Sequence, residues 1–66
     1  MAAPEDPASP EPAQLAEAVR RACIEAALAA YEDAGVLGLC AEGRWEAAVG
    51  ALQALDLQAL LRKREP

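Results

Sequence analysis

The sequence contains no histidine, no phenylalanine and no threonine, and its single serine, Ser9, lies near the amino terminus. Without histidine, the chain lacks the side chain that most often serves as a general base near neutral pH. A nucleophile would have to be Cys23 or Cys40, and no imidazole is present to activate either thiol. We therefore expect no catalytic residues and no enzymatic activity.

Cysteine is scarce as well. Two cysteines are too few for the disulfide framework of a small secreted domain, and their spacing matches no zinc motif. Nothing at the amino terminus resembles a positively charged segment followed by an apolar one, so no signal peptide is indicated. We expect two buried, reduced thiols, no cofactor, no metal and a cytoplasmic location. A redox pair or thiol enzyme that uses Cys23 and Cys40 is the alternative.

Basic residues are outnumbered, since 6 Lys and Arg stand against 11 Asp and Glu, for a net charge of −5. A general nucleic-acid binder needs a basic surface to neutralise phosphates, so nucleic acid is not an expected partner. No apolar run reaches the roughly 18 residues of a membrane span. A phosphate-binding loop is also absent, because no Lys-Ser or Lys-Thr follows the glycines of GVLGLCAEG.

Alanine and leucine are abundant: the 66 residues include 18 alanines and 9 leucines. Alanine favours helix but buries little apolar area. A chain of this length buries only roughly 60% of the surface that it exposes when unfolded. Small folds of this kind usually depend on a disulfide, a metal or a partner subunit.

Two regions differ in composition. Residues 1–11 form an acidic, proline-rich tail that we expect to be disordered, because it has too little apolar content to offset the entropy of ordering. Residues 12–64 form a single helical domain. The first helix is expected to begin at Pro10 after an N-cap at Ser9 and to end at Gly35, a natural C-cap residue.

The remaining sequence predicts shorter elements. Residues 36–43 are compatible with a helix of about two turns that ends at glycine. Residues 44–54 show helical spacing of apolar side chains, and Gly50 within them suggests close helix packing. Asp56 is a good N-cap for a last helix over 57–64. The predicted fold class is all-α: a small helical hairpin with short extra helices.

The first helix is apolar around most of its circumference. Leu15, Val19 and several alanines form one stripe, and Ile24, Leu28 and Tyr31 form a bulkier patch nearly opposite. A helix with this pattern is buried on more than one side, and one short second helix cannot cover both sides. The strongly polar strip of this helix is narrow and consists of Gln14, Arg21, Glu25 and Glu32. Glu17, Arg21 and Glu25 stand four residues apart and are expected to pair along one face.

These patterns predict a protein–protein interaction module: an adaptor, a regulator or an accessory subunit. Its partner would be a second copy, with two hairpins pairing into a bundle-like homodimer, or a larger subunit. The two aromatic residues fall on apolar stripes, so we expect both to be core anchors, with the tryptophan also suited to an interface. The expected interface and packing residues are Val19, Ile24, Leu28, Tyr31, Trp45, Val49 and Leu52.

The segment CAEGRWEAAVGAL, residues 40–52, resembles the turn and second helix of a tetratricopeptide repeat. Gly43, Trp45 and Ala48 match the small, aromatic and small positions of that pattern, and Leu52 lies where a large residue packs. Two glycines interrupt the preceding helix, and the chain lacks the roughly three copies that such arrays need. The resemblance therefore implies shared helix-turn-helix packing.

The chain is also similar to short uncharacterised bacterial proteins that are labelled as acetyltransferases. That activity in its common fold needs a mixed sheet and a glycine-containing loop for the pyrophosphate of the cofactor. Neither fits within 66 residues of this composition. The resemblance therefore does not change the expectation of a non-enzymatic helical protein.

Overall fold

The structure, a computed structural model, describes residues 10–64. Three helices account for its regular structure: α1 (Pro10–Val36), α2 (Ala41–Ala54) and α3 (Leu57–Arg64). A four-residue turn joins α1 to α2, which packs back along α1, and α3 makes a smaller contact with α1. The described range contains no strand, which confirms the predicted all-α hairpin. Residues 1–9 of the predicted tail lie outside the residues that the structure describes.

Helix α1 begins at Pro10, as predicted, with Glu11 in its first turn, where a carboxylate complements the positive end of the helix dipole. The predicted end at Gly35 is wrong, because Gly38 is the glycine with a positive φ, +87°. Leu39 donates its N–H to the carbonyl of Ala34, and Gly38 donates to that of Gly35, both at 3.0 Å. These two bonds form a Schellman motif, which needs its left-handed residue at position 38.

The helix predicted over residues 36–43 is not formed. Val36 ends α1, the turn occupies residues 37–40, and α2 starts at Ala41, earlier than the predicted Arg44. The carbonyl of Cys40 accepts the first bond of α2, from the N–H of Arg44 at 2.9 Å. The turn that the Schellman motif closes takes up residues 37–40, so these residues do not form a separate short helix.

Helix α3 forms where the sequence predicts it. Asp56 caps it: the N–H of Ala59 donates to Asp56 Oδ1 at 3.1 Å, and Arg62 Nη2 lies 3.4 Å from Asp56 Oδ2. This is the N-cap to N3 bond that favours aspartate at helix starts. The expected packing role of Gly50 is wrong, because Gly50 is exposed and a Cβ there would meet no atom within 4 Å.

The hairpin has a very small core. Within the described residues, the only buried hydrophobic side chains are those of Ala34 and Ala48, and no large side chain is fully buried. An alanine removes little apolar area from water, so these two contribute little of the roughly 25 cal/mol per Å² that drives folding. Contacts between half-buried side chains therefore hold α1 and α2 together.

Candidate functional site

An apolar groove of about 260 Å³ lies between α1 and α2, lined by Ala27, Leu28, Tyr31, Trp45 and Ala48. The two alanines are small and form its floor, and the three larger side chains form its walls. Residues 27, 28 and 31 share one side of α1 because positions three and four apart are neighbours on a helix, and residues 45 and 48 do so on α2. We refer to these five residues as the groove.

The groove continues, at the end away from the turn, into a wider apolar surface. Ile24 precedes Leu28 by one turn of α1, and Leu52 follows Trp45 by two turns of α2, so each lies in line with a groove wall. These four side chains are substantially exposed: Ile24 by 52%, Leu28 by 55%, Trp45 by 65% and Leu52 by 41%. We call the groove together with Ile24 and Leu52 the apolar face.

The predicted site residues divide between this face and the helix interface. Leu28, Tyr31 and Trp45 line the groove, whereas Val19 and Val49 are half-buried and do not line it. The expectation that Trp45 is a core anchor is wrong, given its exposure. The buried side of α2 is centred on Ala48. Trp45, about one turn earlier, lies at the edge of that side. Its ring therefore covers the groove edge and faces solvent.

The groove wall formed by Tyr31 is held by Arg44. Arg44 Nε donates to the carbonyl oxygen of Tyr31 at 3.2 Å, and the guanidinium carbon lies 4.1 Å from the centre of the Tyr31 ring. Gly35 makes room for this contact, since a Cβ there would approach Arg44 Cζ to 2.7 Å. The cation–π contact is worth about 0.5–1 kcal/mol at an exposed site. Sequence reasoning missed Arg44 because its partner is the backbone of another helix.

Sequence reasoning also missed Ala27 as part of the floor. Nothing distinguishes it from the other alanines of the chain until α2 is placed against α1. The expected ion pairs of Arg21 with Glu17 and Glu25 are replaced by one between Arg20 and Glu17, 3.5 Å apart. That pair is exposed and therefore contributes little to stability.

The cysteines do not meet within one chain. Cys23 is half-buried and Cys40 is exposed, so the expectation of burial is wrong for Cys40, and both are free thiols. Leu39, the residue before Cys40, donates its N–H to the carbonyl of Ala34. Ala34 lies about 17 Å along α1 from Cys23 at 1.5 Å per residue. A disulfide needs Cα atoms within about 7 Å, so the geometry does not support an intrachain redox pair.

Other kinds of site are not assembled in the described part of the chain. Between residues 10 and 64, no three His, Cys, Asp or Glu side chains gather where they could hold a metal ion. In the same range, no helix combines the length and the apolar character needed to cross a membrane. Comparisons of the chain with protein-family models, with curated proteins and with solved structures found no match.

Proposed function

We propose that this chain is a small protein–protein interaction module that self-associates through the apolar face. The observation that carries the proposal is the contrast between core and surface. Two alanines are buried, while Ile24, Leu28 and Trp45 are each more than half exposed around one groove. A domain whose described residues bury only two alanines and expose large apolar side chains around one groove offers those side chains to a partner.

The free energy available at this face is large for so small a protein. Fully burying a leucine, isoleucine or similar side chain stabilises by about 1.5–3 kcal/mol. Roughly half of that remains available for each of the four exposed side chains of the face, Ile24, Leu28, Trp45 and Leu52. Clustered apolar side chains on monomeric proteins usually mark interaction sites. Tryptophan is the residue type most enriched among interface hot spots, and Trp45 stands at the edge of the groove.

The roles that fit such a surface are those of an adaptor, a regulator or an accessory subunit. Each requires a binding face and no catalytic group. The proposal places the chain in the cytoplasm, because its two free thiols suit a reducing compartment. The net charge of −5 argues for a protein partner over nucleic acid.

Sedimentation velocity over a wide range of protein concentrations tests self-association. Trp45 is the single tryptophan, so its fluorescence reports on the face directly. We expect the mass to approach that of a dimer as concentration rises, with a shift of the Trp45 emission to shorter wavelength. A folded species of monomer mass at every concentration, with unchanged emission, would refute the proposal.

A matched pair of variants assigns the association to the face. Leu28→Ser removes an apolar side chain from the groove, whereas Leu37→Ser removes the same side chain from the turn, where Leu37 is 78% exposed. We expect Leu28→Ser to weaken association by about tenfold or more and Leu37→Ser to leave it nearly unchanged. Equal effects of the two variants would contradict the assignment.

A further inference from the structure

We infer that the apolar face is occupied by a second copy of the chain, packed antiparallel about a two-fold axis, with Arg21 of each copy beside Glu32 of the other. The inference rests on the proposed self-association and specifies its geometry. It is carried by the positions of Arg21 and Glu32 and by the apolar side chains of the face. The Arg21–Glu32 pair and the apolar side chains are each self-complementary under one axis, although the axis also brings the exposed Glu25 of the two copies near each other.

The charge arrangement lies on one edge of the α1 surface. Arg21 and Glu32 are both exposed, and neither makes an ion pair with another residue in the described part of the chain. Eleven residues separate them, so they lie about 17 Å apart along the helix and within about 20° of each other around it. Ile24 and Leu28 lie between them on the same side. The apolar stripe is thus bounded by a positive charge at one end and a negative charge at the other.

A two-fold axis reverses the order of residues in the second copy. If it crosses α1 near residues 26–27, halfway between Arg21 and Glu32, each arginine meets the glutamate of the other copy. The same axis sets Leu28 of one copy against Ile24 of the other. Every contact then occurs twice, as an isologous interface requires. A parallel arrangement would set like charges against each other, which is destabilising.

The exposed side chains of α2 are also arranged symmetrically about this axis. Ala48 lines the groove together with Ala27 and Leu28, and α2 runs antiparallel to α1, so we place the axis near Val49 where it passes α2. Trp45 and Leu52 lie at similar distances on either side of that point, and both are exposed. Trp45 of one copy therefore reaches Leu52 of the other. Two independent pairs of apolar residues, one on each helix, share one centre of symmetry.

Charge reversal tests the geometry. Arg21→Glu and Glu32→Arg each replace two attractive contacts by two repulsive ones in the homodimer, so each should weaken dimerisation by about tenfold, an effect that salt reduces. An equimolar mixture of the two variants forms a heterodimer in which both contacts are attractive again. Dimerisation should recover in the mixture and in the double variant R21E/E32R. Dissociation constants come from sedimentation, and circular dichroism verifies that each variant is folded.

Two controls separate this effect from general changes of charge or helicity. Asp33→Arg makes the same change in charge as Glu32→Arg on an exposed neighbour that points about 100° away around the helix. It should leave the dissociation constant within about twofold. Arg21→Glu also adds a like charge beside Glu17 and Glu25, which weakens the helix, but the second variant in the mixture cannot relieve that effect. Recovery in the mixture therefore reports the contact between copies.

The possible outcomes are distinct. Weakening by both single variants with recovery in the mixture supports the antiparallel dimer. A wild-type dimer that is insensitive to the reversals, or that does not recover in the mixture, overturns the inferred geometry and leaves the proposed self-association intact. A folded wild-type monomer at all concentrations overturns both.

Discussion

Among the alanine substitutions at the four glycines, Gly38→Ala should destabilise the protein most. Gly38 holds φ at +87° and closes α1 through the Schellman bonds. No atom lies within 4 Å of the position that its Cβ would take, so crowding does not contribute. The cost is backbone strain alone: about 1–2 kcal/mol for an L-residue in the left-handed region. In a domain of this size, each kcal/mol lost from the free energy of unfolding lowers Tm by about 4–8 °C.

The matched variant is Gly50→Ala, which adds the same methyl group to the other glycine with free space around it. Gly50 is exposed in the interior of α2 and has an ordinary helical conformation. There, alanine should stabilise by about 0.8–1 kcal/mol through helix propensity. The two substitutions should therefore have opposite signs and differ by about 2–3 kcal/mol.

Urea denaturation followed by far-UV circular dichroism measures both free energies of unfolding. The protein concentration must be equal in all samples, because the proposed self-association would make apparent stability depend on concentration. Glycine at position 38 is required only if the turn after α1 needs a left-handed residue there. If Gly38→Ala were as stable as the wild type, or if both variants were stabilised alike, the assignment of Gly38 as the residue that closes the Schellman motif would be incorrect.

Three further predictions follow from the helix contacts and the thiols. Gly35→Ala displaces the Arg44 guanidinium, so the helix-propensity gain of about 1 kcal/mol should be largely cancelled in the wild type and recovered in an Arg44→Ala background. Equal gains in both backgrounds, measured by urea denaturation, would argue against the contact. Asp56→Ala removes the cap of α3 and should destabilise by about 1 kcal/mol, while Asp56→Asn should retain most of the stability. Thermal unfolding checks this, and equal losses in both variants would contradict a capping role. Mild oxidation should give crosslinks between chains through the exposed Cys40 and none within a chain, so Cys40→Ser should abolish them, and non-reducing electrophoresis distinguishes the two products.

The correct sequence predictions were those that depended on short-range signals. The start of α1 at Pro10 and the break before α3 were predicted because proline at the first helical turn and aspartate at an N-cap act on groups within three residues. The end of α1 was misplaced because two glycines three residues apart both fit a C-cap. Only the geometry of the turn separates them: Gly38 supplies a positive φ, and Gly35 supplies room for a side chain from α2.

The sequence by itself determined that this protein is helical and that its apolar residues exceed what one hairpin can enclose. Both follow from composition and from a 3.6-residue period, which are properties of each helix alone. Only the tertiary structure decided which apolar side chains are left uncovered. That depends on the rotation of α2 about its axis, which the turn sets and which centres the buried side on Ala48. The same rotation leaves Trp45 exposed and brings the groove residues of α1 and α2 side by side.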